Sequence, residues 1–129
     1  MISVTIKMHT NVPYDYDKYS EAMLRISKEF HNALSEGLKS TYSVDLAWTA
    51  TSENVIISFR TGNNRSQYSN MPKGTIILDY IYLTIIAKDF DVLNTYVSKA
   101  IDVVDKIKYH LGYPVFNVAI VSGDDCEQQ

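Results

Sequence analysis

Ile2, Val4, Ile6 and Met8 alternate with Ser3, Thr5 and Lys7, the two-residue period of a strand that buries one face. Pro13 and the Asp15/Asp17 pair supply a helix start. Tyr19, Met23, Ile26, Phe30, Ala33 and Leu34 then recur at three-to-four spacing. Gly37 ends that helix as a residue free to take positive φ. Tyr42, Val44, Leu46, Trp48 and Ala50 alternate with Thr41, Ser43, Asp45, Ala47 and Thr49. This pattern predicts a second strand over 41–50 with its even positions on the core.

A turn at Ser52, Glu53 and Asn54 leads into a third strand, Val55 to Phe59, which makes a hairpin with Ile56, Ser58 and Arg60 on its other side. The stretch from Gly62 to Gly74 is rich in Asn and Ser, carries Arg65, Tyr68 and Lys73 without period, and reads as a loop. Loops of that length in compact domains tend to be functional. From Thr75 to Ala87 both alternating sides are apolar, Ile77, Ile81, Leu83 and Ile85 against Ile76, Leu78, Tyr80 and Tyr82, which suits a central strand. Asp89 or Asp91 caps a second helix with the stripe Leu93, Val97, Ala100, Ile101, Val104, Ile107 and Leu111. Lys106, Lys108 and His110 occupy its last turn, and Gly112 with Pro114 ends it. Val115 to Val121 is a last strand before an acidic tail over 122–129.

The order β-α-β-β-β-α-β predicts an α+β fold. Two helices pack on one face of a mostly antiparallel five-stranded sheet, a ferredoxin-like core with one added strand. The 129 residues, 46% hydrophobic and 21% charged, suit one domain over 1–129 with an adequate core. A net charge of −3 argues against a surface built for a phosphate backbone. No apolar run reaches the roughly 18 residues of a membrane span, and Met1 to Ile6 lack a signal peptide's basic start. A cytoplasmic protein is expected. Cys126 is the single cysteine and lies in the acidic tail, which disfavours its thiolate.

Motifs for chemistry are sparse. His9, His31 and His110 show no helical zinc spacing and read as surface or capping residues. There is no Gly-x-Ser-x-Gly elbow, phosphate loop or dinucleotide fingerprint. The reading is therefore non-enzymatic, with no catalytic residue, cofactor or metal expected. Asp79 stands inside an apolar strand, where a carboxylate needs a partner; Arg60 is the nearby cation, and a ligand contact is the alternative. Ten tyrosines are the main compositional oddity, and tyrosine is enriched where proteins bind one another. Alternation leaves one sheet face away from the helices, and the contact set expected there is Asp45, Arg60, Arg65, Tyr68, Asp79, Tyr80 and Tyr82.

In whole-chain character, and in the acidic segments Asp15/Asp17 and Asp124/Asp125/Glu127, the chain resembles bacterial immunity proteins of the contact-dependent growth inhibition type. The resemblance implies tight one-to-one binding of a cognate secreted toxin domain without turnover, the acidic segments facing a basic nuclease cleft as a nucleic-acid mimic. Two other classes stay open. One is an RNA- or ribosome-associated domain, suggested by element order and by Lys99, Lys106 and Lys108, although Asp102 and Asp105 interleave with them. The other is a small ligand-binding protein or enzyme with Asp79 or Asp45 as a polar anchor. A homodimer through the twin apolar faces of the fourth strand would give it a pocket.

Overall fold

The computed structural model describes residues 1–13, 16–42, 46–62, 76–107 and 115–122, with side chains over 1–8, 21–42, 46–62 and 80–107. The elements are β1 (Ile2–Pro13), α1 (Tyr16–Leu34), β2 (Lys39–Tyr42), β3 (Trp48–Thr51), β4 (Val55–Thr61), β5 (Ile76–Ala87), α2 (Phe90–Lys106) and β6 (Val115–Ser122). They form one sheet in the order β2-β3-β4-β5-β1-β6, with every neighbouring pair antiparallel. The fold is α+β, and both helices cover the same face. Strands β4-β5-β1-β6 with the two helices follow the β-α-β-β-α-β plan, and β2-β3 extends the sheet beyond β4.

The core lies between helices and sheet. Ile6 and Met8 from β1, Ile57 and Phe59 from β4, and Ile81, Leu83 and Ile85 from β5 are all fully buried. They meet Met23, Ile26, Phe30 and Leu34 of α1 and Leu93, Ala100, Val103 and Val104 of α2. Val103, outside the predicted stripe of α2, is buried, while Ile101 sits at its margin. Lys106 in the last turn of α2 reaches Glu29 of α1 at 2.8 Å. Asp89 is the cap of α2, its side chain accepting from the Val92 amide at 3.0 Å, and Asp91 falls in the first turn. Asp89→Ala is expected to cost about 1 kcal/mol, read as a lower urea midpoint at unchanged slope. An unchanged midpoint would show the cap to be idle.

Two boundaries and one residue's role differ from the sequence reading. The strand predicted over 41–50 is two strands, β2 doubling back on β3 with Tyr42 opposite Trp48, so the sheet has six strands. The break is at Leu46, whose φ of 70° lies in the left-handed region that a branched side chain avoids. Two contacts hold it there: the buried Ser27 hydroxyl of α1 donates to the Leu46 carbonyl at 2.8 Å, and the Leu46 side chain packs on the core. Tyr42 shares the helix side with Trp48 but lies at the sheet margin, 49% exposed. Second, Pro13 ends β1 rather than starting α1, so His9 falls within a strand and Asp17 within the helix. Third, His31 is half-buried in the last turn of α1. Its ring lies 4.8 Å from that of Tyr42 and edge-on to Trp48 at 5.2 Å, a packing role.

Other expectations hold. Gly37 closes the turn after α1 with φ 77°. The β3–β4 hairpin is bound by Ser52 N–H to the Val55 carbonyl at 2.9 Å. Strand β5 is central, flanked by β4 and β1. One of its faces is taken by the helices, so the twin-faced dimer expected through this strand has only the other face left.

Candidate functional site

The face of the sheet turned away from the helices is ordered in rows, because antiparallel register sets residues of neighbouring strands side by side. Thr51, Ile56, Ile86 and Ser3 form one row, and Thr49, Ser58, Thr84 and Thr5 the next. In the second row the Thr5 and Thr84 hydroxyls meet at 3.0 Å. Arg60, Tyr82 and Lys7 form the third row, and Tyr80 lies one alternation further along β5. The face thus grades from mixed apolar and hydroxyl, through hydroxyl, to aromatic and cationic.

The third row is tightly associated. The Arg60 guanidinium carbon stands 4.2 Å from the centre of the Tyr82 ring. Lys7 Nζ lies 5.1 Å from the Tyr80 ring and 5.8 Å from that of Tyr82. The two tyrosine rings are 6.4 Å apart and 27° from parallel. Each cation meets the negative face of a π system, worth about 0.5–1 kcal/mol at exposed sites. These contacts bias the direction of long side chains that would otherwise sample many rotamers. Beside Lys7 the β1–β6 register shifts, between Lys7 and His9, an irregularity of the kind that adds local twist.

Gly62 closes the end of this row. Its amide donates to the Tyr80 carbonyl at 2.8 Å. A Cβ there would lie 3.0 Å from Tyr80 Cβ and 3.2 Å from Tyr82 Cε2, so only glycine leaves both rings in place. Gly62→Ala is expected to shift the Tyr80 and Tyr82 ring signals in NMR spectra and to cost about 1–2 kcal/mol of stability, as overpacking does. Ring signals identical to the parent's would show that the contact relaxes elsewhere.

Of the seven residues expected to form a contact set, the structure brings together Arg60, Tyr80 and Tyr82. Asp79 belongs to β5, opposite Thr10, and its side chain lies outside the described residues; Arg60 lies over Tyr82. Asp45, Arg65 and Tyr68, with the rest of the loop predicted from Gly62 to Gly74, also lie outside the described residues, as do residues 123–129 of the acidic tail, His110 and Lys108. Sequence reasoning missed Lys7 and Gly62. Lys7 was visible as the polar position between Ile6 and Met8, but its place beside Tyr82 depends on the pairing of β1 with β5.

Elsewhere the described residues offer little concavity. A groove of about 280 Å³ between the helices is lined by residues including Ala33, Glu36, Lys99 and Lys106. One of about 180 Å³ lies between the β3–β4 turn and α2. Both fall below the roughly 300–1,000 Å³ of small-molecule sites, and neither contains a residue of the expected contact set. Among the described residues no group of three His, Cys, Asp or Glu is placed to hold a metal, and no helix is long and apolar enough to cross a membrane.

Comparison with known proteins adds no family. No family profile matches the chain, and no curated protein matches it. Among solved structures it is similar to the de novo designed protein Foldit4, at 13% identity and a TM-score of 0.41, over 92% of this chain and 96% of that one.

Proposed function

We propose that this chain is a non-enzymatic protein-binding module that docks a protein partner on its open sheet face, and in finer detail an immunity protein that binds and blocks a cognate bacterial toxin domain in the cytoplasm. The observation that carries the first statement is the row Arg60–Tyr82–Lys7 with Tyr80 beside it. Tyrosine and arginine are the residues most often found at energetic centres of protein interfaces. Here their side chains are biased in direction before any partner arrives, which lowers the ordering cost of association. The finer statement is supported by the whole-chain resemblance alone.

For the RNA-associated reading, Lys99 rests over the Tyr96 ring at 5.1 Å and Lys106 is paired with Glu29. Of the three lysines that suggested it, Lys106 is thus neutralised within the chain, while the ring contact of Lys99 leaves its charge available. The test of the proposal mixes the purified chain with the protein encoded by the adjacent reading frame. A one-to-one complex should form, and hydrogen exchange should slow in β4, β5 and β1 at the third row. A complex that protects only the helices would remove the sheet face from the proposal.

A further inference from the structure

Arg60 and Lys7 flank Tyr82 on its two sides, and among the described residues no carboxylate meets either of them. The ion pair found there, Glu29 with Lys106, is on the helix side. The Arg60 guanidinium carbon stands 4.2 Å from the centre of the Tyr82 ring, a contact that consumes none of its N–H donors. These donors lie in the guanidinium plane, around the rim, in the fork that matches two carboxylate oxygens. Lys7 supplies a second positive point across the same ring. Between them lies the Tyr82 ring with Tyr80 beside it, and next to them the hydroxyls of Thr49, Ser58 and Thr84, Thr5 in the same row being buried.

We infer that the segment this face takes from its partner is an acidic, extended peptide stretch. Its carboxylates meet Arg60 and Lys7, and its carbon chain covers Tyr80 and Tyr82. This rests on the reading of the face as a protein-binding surface and adds the partner's chemistry. The sign of charge matters, because the toxin resemblance implied acidic segments meeting a basic cleft, whereas this row asks for an acidic partner.

A polyanion such as single-stranded RNA also stacks on aromatics, but the charges decide against it. Two cations release about two counterions, a salt slope of only about −1.4, too small a contribution for binding driven by a phosphate backbone. The adjoining rows of hydroxyls and of Ile56 and Ile86 suit a peptide, whose backbone they can hydrogen-bond and whose side-chain carbons they can cover.

The test titrates the full chain with tetraglutamate at low salt, following the Arg60 Nε–H, Lys7 and tyrosine ring signals by NMR. Tetralysine and hexathymidylate serve as comparisons. Tetraglutamate should give saturable shifts at the third row, weakened at least 5-fold in the Arg60→Gln/Lys7→Gln variant and by added salt, while tetralysine gives none. Thr49→Glu keeps both cations and sets a carboxylate in the adjoining row; it should weaken tetraglutamate binding too, so the answer does not hang on one variant's folding. No saturable shift, or equal affinity in these variants, overturns the inference. Hexathymidylate binding tenfold tighter than tetraglutamate overturns it in favour of a nucleic acid. If Tyr82→Ala abolishes binding of the protein partner while tetraglutamate fails, the acidic chemistry falls and the docking face stands. A partner indifferent to Tyr82→Ala removes the face itself.

Discussion

Trp48→Ala is expected to cost roughly 3–5 kcal/mol, the range for deleting a large buried ring, out of a total stability of about 5–15 kcal/mol for a domain of this kind. Trp48 is 1% exposed and joins three elements. Its ring lies 5.8 Å from that of Phe59 of β4, within 2° of parallel. Its Nε1 donates to the Ser27 carbonyl of α1 at 3.3 Å. His31 packs on its edge, and Tyr42 of β2 packs on His31. Removing the ring opens a cavity and takes away the support on which β2 leans. In urea unfolding followed by circular dichroism the midpoint should fall sharply. Trp48→Phe, which keeps an aromatic ring but loses the Nε1 donor, should recover most of the loss. A cost under about 1 kcal/mol would mean that β2 and α1 collapse onto Phe59, against the rigidity expected of a close-packed core.

Tyr82→Ala is expected to weaken partner binding by about 2 kcal/mol or more, about 30-fold, as at other interface centres, with little change in stability because the ring is only half-buried. The ring is the common support of Arg60 and Lys7, so its loss frees both cations as well as removing contact area. Arg60→Ala should weaken binding by a similar amount, and the double variant by less than the sum. That coupling, read by calorimetry in a double-mutant cycle, should reach about 0.5–1 kcal/mol, the worth of the cation–π contact. Tyr82→Phe should bind nearly as the parent does if the ring face carries the effect. Strictly additive losses would show that Arg60 and Tyr82 act on the partner independently.

The acidic segments that support the toxin resemblance, Asp15 with Asp17 and Asp124, Asp125 and Glu127, lie outside the described side chains. The charge that the described site carries is positive. The resemblance and the acidic-partner inference therefore make opposite demands on a partner's surface, and the titration with charged peptides separates them.

Much of this arrangement was legible in the chain. Alternation over Ile2–Met8, Val55–Phe59 and Thr75–Ala87, and the helical stripes through Met23, Ile26 and Phe30 and through Leu93, Ala100 and Val104, report burial directly. A strand or helix must repeat apolar positions at its own period to bury one side. The Asp89 cap and the Gly37 turn were legible for the same local reason, since each depends on the geometry of one residue and its neighbours. Arg60, Tyr80 and Tyr82 could be assigned to one face from parity alone.

What periodicity could not show is where two strands meet. Lys7 and Tyr82 are neighbours only because β1 pairs with β5 in one register, and a slip by one residue would turn every side chain to the other face. The division of 41–50 into β2 and β3 was hidden for a related reason. Leu46 carries no local signal for a left-handed turn, and its φ is held by Ser27, from a helix distant in sequence, and by burial in the core. Local pattern marked the inside and the outside of most strand and helix positions, with Val103 and Tyr42 as exceptions. Tertiary structure alone decided which outside residues stand together, because that juxtaposition is made by long-range pairing and packing, which no local pattern of residues records.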